Sequence, residues 1–106
     1  MINRIKIFPT IPEEHLSFFN ERIQENKLVG CMDINYNGIY LLNKVTHKID
    51  AIISHNDDMW ALVEFLDTKE GNYAYSIYNS ESNIFQLKEV FINENNIGLN
   101  IIYTKN

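Results

Sequence analysis

The stretch that decides the fold runs from Asp57 to Asn79 and reads DDMWALVEFLDTKEGNYAYSIYN. Two apolar, aromatic-rich runs flank a five-residue segment from Asp67 to Gly71. Asp favours the first position of a type I turn, and Gly tolerates the positive φ with which a longer hairpin loop rejoins its strands. The stretch therefore predicts a β-hairpin.

The run before this turn is apolar on both faces of the predicted strand. Such a strand is typical of a central position in a sheet that is covered on both sides. A helix from Asn56 to Leu66 is the alternative, since part of the apolar pattern also fits helical spacing. After the turn, Tyr73, Tyr75 and Ile77 alternate with other side chains, which predicts the second strand. The two faces of the first strand are Met59, Ala61, Val63 and Phe65, and Trp60, Leu62 and Leu66.

The N-terminal part predicts one strand and one helix. A short strand carrying Ile5 and Ile7 ends at Pro9. Thr10 and Glu13 have the spacing of a capping box, so a helix should follow to about Asn26. The predicted helix is amphipathic and should pack on a sheet. Its apolar stripe comprises Leu16, Phe19 and Ile23, widened by Phe18, and Glu14, Glu21, Arg22 and Glu25 face away.

The rest of the chain predicts strands joined by turns at intervals of eight to twelve residues. Asn37-Gly38 is the strongest short hairpin signal, because both residues accept the positive φ of a type I′ turn. Residues 83–93 also fit a second helix, and this alternative stays open. The predicted strands are Leu28 to Tyr36, Ile39 to Asn43, Ile49 to Ser54, Ile84 to Ile92 and Ile97 to Thr104, and the predicted turns include Lys44 to Lys48, with His47 where Gly often stands, and His55 to Asp58.

These elements predict a single domain over residues 1–106 of the α+β class. We expect a curved antiparallel β-meander of about seven or eight strands, with the N-terminal amphipathic helix packed on the sheet. The single Cys31 excludes an internal disulfide and is expected to be a buried structural thiol. No signal-peptide pattern and no apolar run of spanning length is present, so a cytoplasmic protein without membrane association is expected.

Negative charge is concentrated in the middle of the sequence. Residues 50–94 contain nine acids and two lysines, a net charge of −7, whereas residues 1–49 contain five acids and six bases, a net charge of +1. An acidic region of this kind serves either as a solubilising surface or as a face that meets a basic partner.

Catalytic and cofactor motifs are missing from the sequence. The four glycines stand alone, so no phosphate-binding loop is predicted, and no Cys/His set supports zinc. His55 with Asp57 and Asp58 is the best candidate for acid/base chemistry or a hard metal, but a loop rich in Asn and Asp is usually only a turn. His15 is expected to be structural. Tyrosines on a sheet can stack bases, yet the hairpin region has too few cations for direct nucleic-acid binding. We therefore expect no enzyme, no cofactor and no metal.

In its small size, acidity, single domain and lack of motifs, the chain resembles the cytoplasmic immunity proteins of bacterial toxin systems, including contact-dependent growth inhibition. The resemblance implies a protein-binding inhibitor whose partner is a basic toxin domain, often a nuclease. Its carboxylates would displace the phosphate backbone from the toxin's cleft, and attraction would speed the encounter. The resemblance transfers no residue, so the candidate contacts come from the local pattern of acids and aromatics. They are Asp57, Asp58, Asp67, Glu70, Tyr78 and Glu81.

Two other functions fit the same sequence. One is a different acidic interaction protein, such as a phage-encoded inhibitor of a host nucleic-acid machine or a regulatory subunit. The other is a small-molecule-binding or catalytic domain whose curved sheet encloses a cavity lined by Tyr and His. Copurification from the native host separates the first from an immunity protein, and the shape of the cavity decides the second. The oligomeric state is not predicted.

Overall fold

The structure is a computed structural model that describes residues 2–33, 45–80, 84–93 and 96–104. It is α+β, with two helices and seven strand segments in the described residues. None of the described helices is long and apolar enough to cross a membrane. In chain order the elements are β1 (Ile2–Ile7), α1 (Glu13–Gln24), β2 (Val29–Gly30), β3 (Met32–Asp33), β4 (His47–His55), β5 (Asp58–Phe65), α2 (Lys69–Ser80), β6 (Ile84–Asn93) and β7 (Asn96–Thr104).

All seven segments form one sheet in the order β2-β4-β5-β1-β6-β7-β3. The β1/β6 and β3/β7 pairs are parallel and the other pairs are antiparallel, so the sheet is mixed and the predicted all-antiparallel meander is wrong in this detail. The two edge segments β2 and β3 are separated in sequence by Cys31 alone. Counted as one strand, they leave six strands in the described part of a nearly closed curved sheet, where the sequence predicted seven or eight for the whole chain. The predicted strand from Ile39 to Asn43 lies outside the described residues.

Two glycines lie where β2 and β7 meet. A Cβ atom on Gly30 would lie 1.9 Å from the Leu99 carbonyl oxygen, and one on Gly98 would lie 2.6 Å from the Val29 carbonyl oxygen. Backbones approach this closely only where one residue has no side chain. On the inner side of the contact, the His47 Nε2 atom lies 2.7 Å from the Leu99 oxygen. We call Gly30, His47, Leu99 and Gly98 the closure seam.

The hydrophobic core lies inside the curve of the sheet. Of the two faces of β5, the one that carries Met59, Ala61 and Val63 is buried in this core. Both helices cover this inner side, α1 through Phe19 and α2 through Ala74. The outward side chains of β5 are only half-buried, so the predicted cover on both faces is wrong. The buried apolar residues are Ile5, Ile7, Ile11, Phe19, Leu28, Met32, Ile49, Met59, Ala61, Val63, Ala74, Leu87, Leu99 and Ile101.

Helix α1 forms as predicted but begins later. Pro12 is its N-cap residue, and no side chain caps the helix, so the capping box at Thr10 is wrong. The residue before a proline avoids the helical conformation, and here that residue, Ile11, is only 3% exposed and anchors the chain in the core. At the other end, Asn26 has a φ of 61°, and the Lys27 amide donates to the Arg22 carbonyl at 2.8 Å, which gives a Schellman C-cap.

The second strand of the predicted hairpin is wrong, because residues 69–80 form α2. Thr68 caps this helix: its Oγ1 atom accepts the Gly71 amide at 3.0 Å. Gly71 therefore occupies the first turn of a helix and not a hairpin loop. A Cβ atom there would lie 2.1 Å from the Leu66 carbonyl oxygen, so the absent side chain allows α2 to turn back closely on the end of β5. Gly71, Ala74 and Tyr78 follow helical spacing and face the core.

Replacing Thr68 with alanine is expected to destabilise the fold by about 1 kcal/mol, since the change leaves a helical amide without its acceptor. Urea unfolding measures this loss. Serine keeps the hydroxyl at this position, so Thr68→Ser is the matched control and should retain most of the stability. Equal unfolding midpoints for the alanine and serine variants would contradict the capping role.

The other predictions have mixed outcomes. Residues 84–93 are strand and not helix, and β4 contains the predicted strand from Ile49 to Ser54. His47 is fully buried at the start of β4, so its assignment to a turn is wrong. Cys31 is half-buried rather than buried. The Asn37-Gly38 turn lies outside the described residues.

Candidate functional site

An open groove lies between the start of α1 and the turn that joins β4 to β5. Its volume is about 480 Å³. The structure thus brings two of the predicted contact residues, Asp57 and Asp58, beside the first turn of α1, where Glu13 and Leu16 are more than 40 positions earlier in the sequence. We call it the α1–turn groove. It is lined by Thr10, Ile11, Glu13, Leu16, Ser54, His55, Asn56, Asp57, Asp58 and Met59.

The turn that forms one wall is a two-residue hairpin loop. His55 pairs with Asp58, and the two residues between them, Asn56 and Asp57, have φ values of 51° and 67°. Positive φ at both central positions defines a type I′ turn, which matches the twist of the flanking strands. Asn and Asp tolerate this conformation better than other residues with side chains. The Asn56 amide also lies 3.1 Å from His55 Nε2 and donates to it. The turn therefore holds the exposed Asp57 on a defined backbone.

The rim of the α1–turn groove is acidic. Glu13 and Asp57 are both exposed, and neither carboxylate forms an ion pair in the part of the chain that the structure describes. Asp58 is half-buried and its Oδ1 atom lies 3.3 Å from the Lys6 ammonium. Glu13 also lies in the first turn of α1, where a carboxylate stabilises the helix dipole. The groove thus presents two carboxylates to solvent and a third that a lysine already neutralises.

The floor of the groove is apolar. Ile11 and Met59 are 3% and 7% exposed, and Leu16 packs beside them at the edge of the core. A long cationic side chain has the same division, with an apolar stem and a charged end. An acidic rim above an apolar floor therefore suits a lysine or arginine side chain that enters end-on from another protein.

The remaining predicted contacts lie at the other end of β5. Asp67 is exposed and accepts a hydrogen bond from the Asn72 side-chain amide at 3.2 Å. Glu70 is half-buried in the first turn of α2. Glu81 lies outside the described residues. An eight-residue strand is roughly 25 Å long, so the acids at its two ends do not form one continuous surface.

Tyr78 belongs to an aromatic cluster beneath α2. Its ring centroid lies 5.5 Å from that of Phe65 and 5.0 Å from that of Phe85, both in tilted arrangements. Tyr75 completes the cluster at 5.3 Å from Phe65. Burial raises the pKa of the Tyr78 phenol, with a smaller contribution from Tyr75. These contacts place the ring in the packing between helix and sheet.

Several acids of the middle segment are paired, which the one-dimensional charge count does not reveal. Asp50 and Glu64 lie 3.5 and 3.6 Å from the Lys48 ammonium. Glu89 accepts a 2.6 Å hydrogen bond from His15 Nδ1, which links α1 to β6. The exposed Glu13 comes from the part of the sequence with a net positive charge. Only the fold shows that it lies across a groove from Asp57.

The side chains of His55, Asp57 and Asp58 are not arranged to hold a metal ion together. No group of three or more His, Cys, Asp or Glu side chains is placed to hold a metal ion within the described ranges.

Searches of protein-family models, curated proteins and solved structures find no match to this chain.

Proposed function

We propose that the chain is a non-catalytic protein-binding inhibitor, an immunity protein that neutralises a toxin with a basic substrate-binding cleft, such as a nuclease. One observation carries the proposal: exposed Glu13 and Asp57 flank an apolar-floored groove that is open to a partner. A toxin that binds nucleic acid must present Lys and Arg for the phosphates, and these side chains are complementary to the groove.

In this mechanism the carboxylates take the place of phosphates in the toxin's cleft. Long-range attraction between the acidic chain and the basic cleft raises the association rate, and the apolar floor slows release by burying the stem of the entering side chain. The I′ turn and the start of α1 place the backbones of both residues before binding, which lowers the entropic cost of ordering the main chain on association. We place this activity in the cytoplasm, where a toxin that attacks nucleic acid would act.

The test starts from the reading frame next to the gene that encodes this chain. The proposal requires a secreted protein there whose C-terminal domain is toxic when expressed alone and harmless when this chain is coexpressed. The association rate of the two purified proteins is then measured as a function of salt concentration. It should fall steeply with added salt, because exposed charges steer the encounter. A salt-insensitive rate, or failure to protect, contradicts the proposal.

Paired substitutions determine which end of β5 binds. We expect Glu13→Gln with Asp57→Asn to lower the association rate by about tenfold, because two steering charges are lost from the contact. The control, Asp67→Asn with Glu70→Gln, removes the same charge from the opposite end and should change the rate by less than about twofold. If the Asp67/Glu70 variant instead loses more of the association rate than the Glu13/Asp57 variant, the binding surface lies at α2.

A further inference from the structure

A second pocket lies at the opposite end of β5 from the α1–turn groove, between the end of that strand and the first half of α2. Its volume is about 220 Å³. It shares no lining residue with the α1–turn groove, so it is a separate feature of the molecule. We call it the α2 pocket, and it is lined by Phe65, Leu66, Asp67, Asn72 and Tyr75.

Two aromatic rings line the α2 pocket. The ring centroids of Phe65 and Tyr75 lie 5.3 Å apart and the ring planes are inclined at 49°, so the rings meet as a corner and not as a flat stack. Phe65 is the last residue of β5 and Tyr75 lies on α2, so the packing of helix against sheet holds the corner in place. The face of an aromatic ring carries negative potential and attracts cations.

The α2 pocket also contains one carboxylate. Asp67 is exposed, and its Oδ1 atom accepts a hydrogen bond from the Asn72 side-chain amide at 3.2 Å, which orients the carboxylate towards α2. Among the described residues no cation forms an ion pair with it. The carboxylate and the aromatic rings attract the same kind of charge, so their combination is complementary to an organic cation.

The lining favours a quaternary ammonium ion over a primary one. A primary ammonium has three N–H donors, and each of them needs an acceptor when it leaves water. Three of the five lining side chains, Phe65, Leu66 and Tyr75, offer mainly apolar surface. A quaternary ammonium has no N–H group and spreads its charge over methyl groups, which pack on such a surface while the charge attracts Asp67. We propose that the α2 pocket binds a small quaternary ammonium ion.

The volume of the pocket suits an ion of this size. A cavity of roughly 150 Å³ holds a benzene molecule, whereas drug-sized ligands occupy about 300–1,000 Å³. At about 220 Å³ the α2 pocket fits a trimethylammonium group with a short substituent. Because Asp67 is exposed, water and salt screen its charge. The affinity is therefore modest, with half-saturation at roughly 1–10 mM.

An NMR titration of the whole chain with choline tests the proposal, with the ionic strength held constant by sodium chloride. The Asn72 side-chain amide is the local reporter, since it donates to Asp67. Its signals should shift and saturate as choline binds. Two matched ligands follow: 3,3-dimethylbutan-1-ol, in which carbon replaces the charged nitrogen, and ethanolammonium, which has a primary ammonium. Both should bind at least about fivefold more weakly than choline, because the first has no charge and the second leaves N–H donors unsatisfied.

Two substitutions remove the attracting groups one at a time. Tyr75→Leu keeps an apolar side chain without a ring and should weaken choline binding by at least about fivefold. Tyr73→Leu is its matched control, because Tyr73 is 38% exposed on the same helix and does not line the pocket. Asp67→Asn changes an exposed side chain, so it tests the site even if Tyr75→Leu unfolds the chain, and it should weaken binding by at least about threefold. Asp57→Asn, which removes the same charge at the other end of β5, is the control for this change.

Four results would overturn the proposal. The first is a wild-type chain whose Asn72 signals show no saturable shift up to about 100 mM choline, well above the expected half-saturation. The second is a neutral isostere or a primary ammonium that binds as tightly as choline. The third is an unchanged choline affinity in the folded Tyr75→Leu chain or in Asp67→Asn, and the fourth is an equal loss in either control variant. None of these results involves a toxin, so the ammonium site and the proposed inhibitor function succeed or fail separately.

Discussion

Replacing Gly30 with alanine is expected to destabilise the protein by about 3 kcal/mol, among the largest effects of any single methyl group in this chain. The new Cβ atom would lie 1.9 Å from the Leu99 carbonyl oxygen and 2.6 Å from His47 Nε2. A backbone oxygen cannot move away without disturbing the strand that carries it. Since Leu99 is fully buried within β7, relief of the clash must open the closure seam.

The measurement is the melting temperature by circular dichroism. For a domain of this size, a loss of about 3 kcal/mol lowers it by roughly 15 °C. Val29→Ala is the matched control, because it changes the adjacent residue and removes a half-buried side chain without adding an atom to the seam; it should cost about 1 kcal/mol. If Gly30→Ala melts within a few degrees of the wild type, β2 and β7 are not held together as the seam describes.

The strand pairing at the closure seam could not be predicted from the sequence. Alternation along β5 correctly divided its side chains into two faces, because successive side chains of a strand point to opposite sides of the sheet. It did not predict that only the face of Met59, Ala61 and Val63 is buried. Nothing local in the segment from Val29 to Asp33 indicates that it forms both edges of the sheet, β2 at one and β3 at the other. That property depends on partners about 17 positions away in β4 and about 70 positions away in β7. Long-range pairing of this kind leaves no local signal in a single sequence.

The error at α2 has a different cause. The segment from Asp67 to Gly71 satisfied the rules for a hairpin loop, and the tyrosines after it alternated. A second local signal competed with this pattern, since Thr68 is a good N-cap residue and Gly71, Ala74 and Tyr78 have helical spacing. Packing decided between the two: Ala74 and Gly71 are small enough to let α2 lie closely against the end of β5. Neither small residue suggested burial from its own hydrophobicity.

The candidate site was predicted only in part. The turn from His55 to Asp58 was predicted, and with it the exposure of Asp57, because Asn and Asp accept positive φ. Summing charge over residues 50–94 then joined acids that the fold separates, with Asp57 at one end of β5 and Asp67 beyond the other. The charge sum also missed Glu13, which lies outside residues 50–94. Ion pairs such as Lys48 with Glu64 cancel charges that a linear count adds.

His47 should make stability fall as the pH drops below neutral. It is fully buried, its Nε2–H group donates to the Leu99 carbonyl, and its Nδ1 atom accepts from the Thr46 hydroxyl at 2.9 Å. The carbonyl only accepts, so the proton of the neutral ring must be on Nε2. Burial lowers the pKa of His47 from 6.5 to about 4, and the hydrogen bond to Leu99 opposes this only in part.

The sign follows from proton binding. Between pH 6.5 and 4 the unfolded chain binds a proton at His47 and the folded chain does not, so acid favours unfolding in this window. The stabilisation is complete above pH 6.5 and is lost as the pH falls towards 4. A shift from 6.5 to about 4 corresponds to about 3 kcal/mol, a large share of the 5–15 kcal/mol that stabilises a typical domain.

Two measurements isolate this effect from the carboxylates, which titrate near the same lower limit. In an NMR titration of the three histidines, the imidazole of His47 should remain neutral at pH 5.5, with its proton on Nε2. Urea unfolding is then measured from pH 7 to pH 4.5. His47→Gln should lose less stability over this range than the wild type, since glutamine does not titrate. His55→Gln, at an exposed position, is the control and should follow the wild-type curve. An imidazole of His47 that titrates near 6.5 in the folded protein would mean that water reaches the closure seam, and the strands β2 and β7 would then be joined by a weaker contact than the buried hydrogen bond describes.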